Sequence, residues 1–293
     1  MPPVIEFFRA LANPDIPFLR FAVLAGILSS ASFGIVGSYV VVKRITSLAG
    51  SIAHSVLAGI GLSLFLQGRY DVTWFSPLIG AMAAAVAASV VIGLVSVYGA
   101  QREDTVIGAI WAVGMALGVL FISLTPGYVE PMSYLFGNIL IISKTDLIFI
   151  AVLDGVVILL GILFYKQLLA VSFDEEFARA RGLRSIVYSM VLLLMTALTI
   201  VLMTTIVGII MVIALLTLPA AVASLFAKKL WKIMVIAVFI TMIFSVFGIG
   251  LSYILDTPGG STIILFAGAL YLLSIAVRKI AGAVQKRQGA QRG

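Results

Sequence analysis

The chain has 293 residues, of which 62% are hydrophobic and only 11% charged, against about 45–50% and about 25% in soluble globular domains. Long apolar stretches must therefore face lipid, which excludes a water-soluble fold and makes this an integral membrane protein. One histidine and no cysteine exclude disulfides and thiolate metal sites and leave no acid–base or nucleophile constellation, so chemistry on a substrate is not expected.

A helix rises about 1.5 Å per residue, so crossing a hydrocarbon core of about 30 Å takes roughly 20 apolar residues. The segments 18–42, 48–66, 77–98, 105–124, 146–165, 186–206, 209–226, 233–254 and 262–278 meet that requirement. The first is too long for a signal-peptide core and has no A-x-A cleavage site, so it is expected to stay as an anchor. The fold class is thus all-α and polytopic, a single transmembrane domain over 1–293 with eight to nine spans. The uncharged run from Ser185 to Ala227 would be about 65 Å long as one helix. It must fold back, and the break is placed near Thr205-Ile206-Val207-Gly208, followed by a shorter returning helix within 209–226 that ends around Pro219.

The 19 Lys and Arg against 12 Asp and Glu give a net charge of +7. With the amino terminus outside and loops alternating, every basic residue except Arg9, Arg20, Arg69 and Lys144 falls inside, including the basic tail 279–293. The positive-inside bias predicts such a distribution and accounts for the charge without nucleic acid. This topology requires "SYLFGNILII" (133–142) to dip into the membrane from outside without crossing, which is tolerated only where protein or a water-filled cavity surrounds it. Small-residue runs such as "GAMAAAVAAS" (80–89) and "GAIWAVGMALG" (108–118) suit close packing of transmembrane helices.

One inside loop, "AVSFDEEFARARGLRS" (170–185), is highly charged yet aromatic. Ser172 and Glu175 read as a capping box, with acids first, arginines last and Gly182 ending the helix. Helical spacing puts Phe173, Phe177 and Ala180 on one side, facing either lipid headgroups or a partner protein. The polar face mixes both signs, whereas an anionic lipid surface would favour a basic one. No G-x-x-x-x-G-K-[ST] sequence occurs, so the chain holds no ATP through a P-loop; a transporter of this kind runs on an ion gradient or borrows an ATPase.

Five segments in order, "VVVKRITSLAGSIAHSVLAGIGLSL" (40–64), "MSYLFGNIL" (132–140), "SFDEEFARARGL" (172–183), "VGIIMVIALLTLPAAVA" (207–223) and "LDTPGGSTIILFAG" (255–268), together resemble the permease subunits of bacterial ABC importers for zinc, manganese and iron, the ABC-3 family, and zinc-uptake permeases most. The resemblance implies a homodimeric pore in the bacterial cytoplasmic (inner) membrane, a dimer of ATPase subunits below and a metal-binding periplasmic protein or lipoprotein above. It also implies that 172–183 is the coupling helix that enters a cleft on the ATPase. In the related vitamin B12 and siderophore importers the corresponding stretch has residues that match Phe173, Asp174, Glu175, Phe177, Ala178, Arg179 and Gly182.

Family members often have an aspartate four residues before the histidine, on the same helical stripe. Here that position is Gly50, so the carboxylate–imidazole pair is absent. His54 is the candidate transient pore ligand, with Ser51 three residues before it as a weak oxygen ligand; two copies of His54 across a dimer axis would suit zinc better than manganese. The alternative is a histidine bonded to a neighbouring carbonyl. Asp154 lies near the middle of a span, where an ionised side chain costs at least about 2.5 kcal/mol, and is a candidate to replace the missing carboxylate. Asn138 is either a constriction ligand or a turn residue after Gly137. Asp256, before Thr257-Pro258-Gly259-Gly260, either seats the binding protein or caps the last helix.

The expected function is an ATP-driven divalent-metal permease, zinc favoured, with the metal as cargo and no permanently bound cofactor. A manganese, iron or metal-chelate permease and an ion-gradient carrier are the alternatives.

Overall fold

The computed structural model describes residues 3–12, 17–98, 103–127, 134, 135, 137 and 142–290. Among these, twelve helices follow one another: α1 (Pro3–Ala12), α2 (Pro17–Val42), α3 (Thr46–Tyr70), α4 (Pro77–Tyr98), α5 (Glu103–Leu124), α6 (Lys144–Leu163), α7 (Tyr165–Phe173), α8 (Glu175–Ala180), α9 (Ser185–Val207), α10 (Ile209–Phe226), α11 (Leu230–Leu255) and α12 (Gly259–Ala290). Nine of them, α2 to α6 and α9 to α12, are long and apolar enough to cross a membrane. The expected multi-pass all-helical architecture is therefore observed.

The sequence sets the ends of these helices through local chemistry. Ser143 and Asp146 form a reciprocal capping box at the start of α6, where the Ser143 hydroxyl accepts from the Asp146 N–H at 3.2 Å and the Asp146 carboxylate accepts from the Ser143 N–H at 2.9 Å. α9 and α10 meet at Gly208, whose φ of 85° breaks the helix where the charge-free run had to turn. Pro219 does not end α10. It sits buried inside a helix that runs on to Phe226, because neighbouring helices can accommodate a proline kink within a membrane. Likewise the backbone of α12 continues through most of the basic tail, to Ala290.

A short helix not expected from the sequence, α1, packs on the bundle. Phe7 is buried with its ring centroid 6.0 Å from that of Tyr253, and Arg20 Nε donates to the Leu11 carbonyl at 2.8 Å.

Burial is uneven. In the apolar centre of α3, 72% of the residues are buried, against 22% for α5 and for α12. α3 is the hub of one half of the molecule, clasped between α4 and α5, while α2 packs on α11, α6 and α10. The α3–α4 contact is backbone on backbone at Gly59 and Gly80, each of which faces the other's carbonyl so closely that a methyl group would overlap it. The small-residue runs thus pack helices as expected.

Candidate metal pathway and coupling surface

His54 lies in the middle of α3, only 7% exposed. Its ring stacks on the indole of Trp111 from α5, with centroids 4.6 Å apart and planes 19° from parallel. The His54 Nδ1 is buried and has no hydrogen-bond partner among the described residues. Buried polar atoms are nearly always paired, so this nitrogen keeps a free donor or acceptor position. Ser51, one turn earlier, donates its hydroxyl to the Ile107 carbonyl of α5 at 2.9 Å, which orients its oxygen while leaving lone pairs open.

Gly50 explains how Trp111 reaches this place. A Cβ built on Gly50 would lie 3.0 Å from Trp111 Cζ3 and 3.3 Å from Cη2, inside the usual carbon–carbon contact of about 3.5–4.0 Å. The indole therefore occupies the space that a side chain at position 50 would need. Trp111 is 38% exposed, so one face covers His54 and the rest is open to the outside of the monomer. Nothing in the sequence singled out Trp111, because an aromatic in a small-residue helix reads as packing.

Of the segment expected to dip between α5 and α6, Tyr134, Leu135, Gly137 and the buried Ile142 lie among the described residues. Gly137 has φ +64°, and a Cβ there would lie 2.2 Å from the Val207 carbonyl carbon. Gly137 thus lies directly against the backbone at the break between α9 and α10. Asn138 lies outside the described residues.

Asp154, on α6, is not beside His54 but against α2. Its Oδ1 accepts from the Ser32 N–H at 3.1 Å and from the Ser32 hydroxyl, and its buried Oδ2 has no partner among the described residues. No three His, Asp or Glu side chains cluster among the described residues. Asp256 is exposed and adopts φ 51° as it ends α11, its N–H donating to the Ser252 carbonyl. It therefore serves the turn before α12 with its backbone and leaves its carboxylate free.

The charged loop differs in detail from the expected single helix over 172–183. It consists of α7 and α8, kinked at Asp174. The cap is Asp174 and not Ser172: the Asp174 carboxylate accepts from the Phe177 N–H at 2.9 Å, while Ser172 is buried within α7. An aspartate at an N-cap satisfies an orphan donor and complements the helix dipole together with Glu175 and Glu176. At the other end Gly182 takes φ +81°, and the Leu183 N–H closes on the Ala178 carbonyl at 3.1 Å. Ala178 is buried, so α8 is pinned to the bundle by one face. Phe173 and Phe177 project outward, 61% and 56% exposed. Arg181 lies over the Phe177 ring at 5.1 Å, and Arg179 donates to the Ser185 hydroxyl at 3.4 Å.

An ion pair ties this loop to another part of the chain. Lys43 Nζ, at the α2–α3 junction, meets Glu175 Oε2 at 3.3 Å and donates to Ser189 Oγ at 2.7 Å. The sequence reading missed this link, since its partners are 132 residues apart.

The chain thus presents two exposed aromatics, one at the end of α7 and one on the capped helix α8, and a buried histidine beneath a partly exposed indole. Residues 15–278 match the model of the ABC 3 transport family. Over 264 residues the chain is 38% identical to a probable metal transport system membrane protein of Chlamydia trachomatis serovar D, covering 90% of each chain. It is 31% identical to the manganese transport system membrane protein MntC of Listeria monocytogenes, covering 88% of this chain and 89% of that one. Among solved structures it is similar to PsaBC from Streptococcus pneumoniae in complex with Fab, with TM-score 0.81 and 29% identity over 92% of this chain and 95% of that one. The chain belongs to the ABC 3 transport family, as the membrane permease subunit of an ATP-binding-cassette metal importer whose ATPase activity lies on a separate protein.

Proposed function

We propose that this permease carries a divalent first-row metal past His54 as a transient ligand, in a homodimer that works with two ATPase subunits and an external metal-binding protein. The observation that carries the reading is the buried, unpartnered Nδ1 of His54 beneath the partly exposed ring of Trp111. An imidazole nitrogen not committed to the protein is free for a metal, and the indole controls its access. A site with so few ligands suits a conduit, where the ion must leave as readily as it enters. Ser51 is the neighbouring oxygen, and Asn138 on the dip and Asp154 are the further candidates for lining the path.

The sparse burial of α5 and α12 supports their use as the face between two copies, which would bring two Trp111 rings and two His54 side chains toward one axis. On the basic side, inside by charge distribution, Phe173 and Phe177 would enter the ATPase. The turn of Asp174, Glu175, Ala178, Arg179 and Gly182 holds them rigid. Closure of the ATPase dimer would then pull on α6 and α9 through α7 and α8, and on α3 through Glu175 and Lys43. Lys43 lies in the turn just before α3, and eight residues of that helix, about 12 Å at helical rise, lead from Thr46 to His54, so that push reaches the histidine along one short lever. Asp256, exposed at the end of α11, would meet the binding protein.

Zinc is the preferred cargo, since imidazole without a carboxylate suits zinc better than manganese. Manganese is the second reading, favoured by the name of the Listeria relative. Uptake of zinc and of manganese into vesicles holding the permease and its ATPase separates them: His54→Ala is expected to lower uptake of the true cargo at least tenfold. Unchanged uptake of both metals would remove His54 from the path.

A further inference from the structure

Away from α3 and α5, a groove of about 800 Å³ opens between α2, α6 and α11. Ile35, Ile158, Ile162, Val235 and Val238 make it an apolar trough. Its polar end is different: Tyr165, Lys166, Gln167 and Trp231 gather there, immediately after the end of α6 and within the first turn of α11. Lys232 adds a second ammonium, its Nζ 5.5 Å from the centre of the Trp231 ring. Both lysines are exposed, and no carboxylate among the described residues pairs with either.

The arrangement has the chemistry of one kind of molecule. The trough matches the interior of a bilayer, and tryptophan and tyrosine at its mouth mark the headgroup level. Two unneutralised ammonium groups there call for an anion attached to an apolar body. A second copy that met this rim across a two-fold axis would bring the same surplus of lysines and no compensating carboxylate. The volume lies in the range of specific ligand sites, about 300–1,000 Å³.

We propose that this groove is a binding site for one anionic glycerophospholipid, with an acyl chain along Ile35, Ile158, Ile162 and Val238 and the phosphate held by Lys166 and Lys232. Because α6 leads directly into α7 and α8, an occupied groove would brace the helix that the ATPase moves.

The test is native mass spectrometry of the detergent-purified chain titrated with phosphatidylglycerol or phosphatidylcholine. Wild type is expected to retain one phosphatidylglycerol about 25-fold more tightly than phosphatidylcholine. Lys166→Ala with Lys232→Ala should erase that preference, about fivefold per lysine, while Lys166→Arg with Lys232→Arg keeps it. Met234→Trp, which fills the trough, should weaken retention of both lipids. Equal retention of the two lipids by wild type, or a preference undiminished in the double-alanine variant, would overturn the proposal. So would an Ile162→Cys chain, otherwise free of cysteine, that cross-links to a second copy, since the groove would then be a protein interface.

Discussion

Placing a carboxylate back at position 50 tests the reading of the His54 site most directly. In Gly50→Asp the new Cβ meets the Trp111 ring at 3.0 Å, and the carboxyl group beyond it needs still more of the same space. The indole must leave, giving up its stack on His54, worth about 0.5–1.5 kcal/mol. Crowding in the α3–α5 contact costs about 1–3 kcal/mol more. The sum of about 1.5–4.5 kcal/mol would lower the thermal midpoint in micelles by several degrees, taking roughly 2–4 °C per kcal/mol. Truncating the ring in Trp111→Ala removes the clash, so the double variant should recover at least about 1 kcal/mol relative to additivity, as expected for residues in contact. Gly50→Asn, with the same shape and no charge, meets the same clash and should be at least as stable as Gly50→Asp, which also buries a carboxylate. Both variants with Asp hold a carboxylate one turn from the imidazole and those with Asn do not, so transport should shift from zinc toward manganese only with Asp, and most cleanly in the double variant, where the clash is gone. A Gly50→Asp chain as stable as wild type, or strict additivity of the two substitutions, would refute the picture of an indole seated in the space of the missing side chain.

Phe177→Ala should weaken association with the ATPase about 30-fold, the loss of an aromatic anchor worth about 2 kcal/mol, measured by co-purification; intact association and uptake would remove α8 from the coupling role. Glu175→Gln breaks the half-exposed pair with Lys43 and should cost only about 0.2–1 kcal/mol of stability, yet lower metal moved per ATP hydrolysed in vesicles. Ser32→Ala removes one donor from the buried Asp154 carboxylate and should destabilise by about 1.5–3 kcal/mol. If Asp154 also lines the path, Asp154→Asn must reduce uptake beyond what its thermal midpoint accounts for, which paired transport and stability measurements on that variant would decide. Gly137→Ala, with φ +64° and a Cβ 2.2 Å from Val207, should cost about 2–4 kcal/mol, read as loss of folded protein in a thermal scan.

What the chain determines by itself is set by solvation and local backbone preference. Nine apolar stretches of membrane length, the turn at Gly208 and the termination at Gly182 are each dictated by a few adjacent residues, so they were legible without coordinates. So was the placement of His54 on a small-residue helix, together with the loss of its usual carboxylate at Gly50. The capping of α8 was legible in kind and misplaced by two residues, because Ser172 and Asp174 compete as caps and only the burial of Ser172 in α7 separates them. Pro219 was misread as a stop, since in a membrane a helix continues past proline wherever its neighbours support it. Contacts between distant segments were decided by the fold alone: Trp111 over Gly50 and His54, Lys43 with Glu175, Ser32 with Asp154, and Gly137 against Val207. Each joins side chains or backbone from helices far apart in the chain. Helical periodicity says which face a residue occupies, but only tertiary packing says what that face meets.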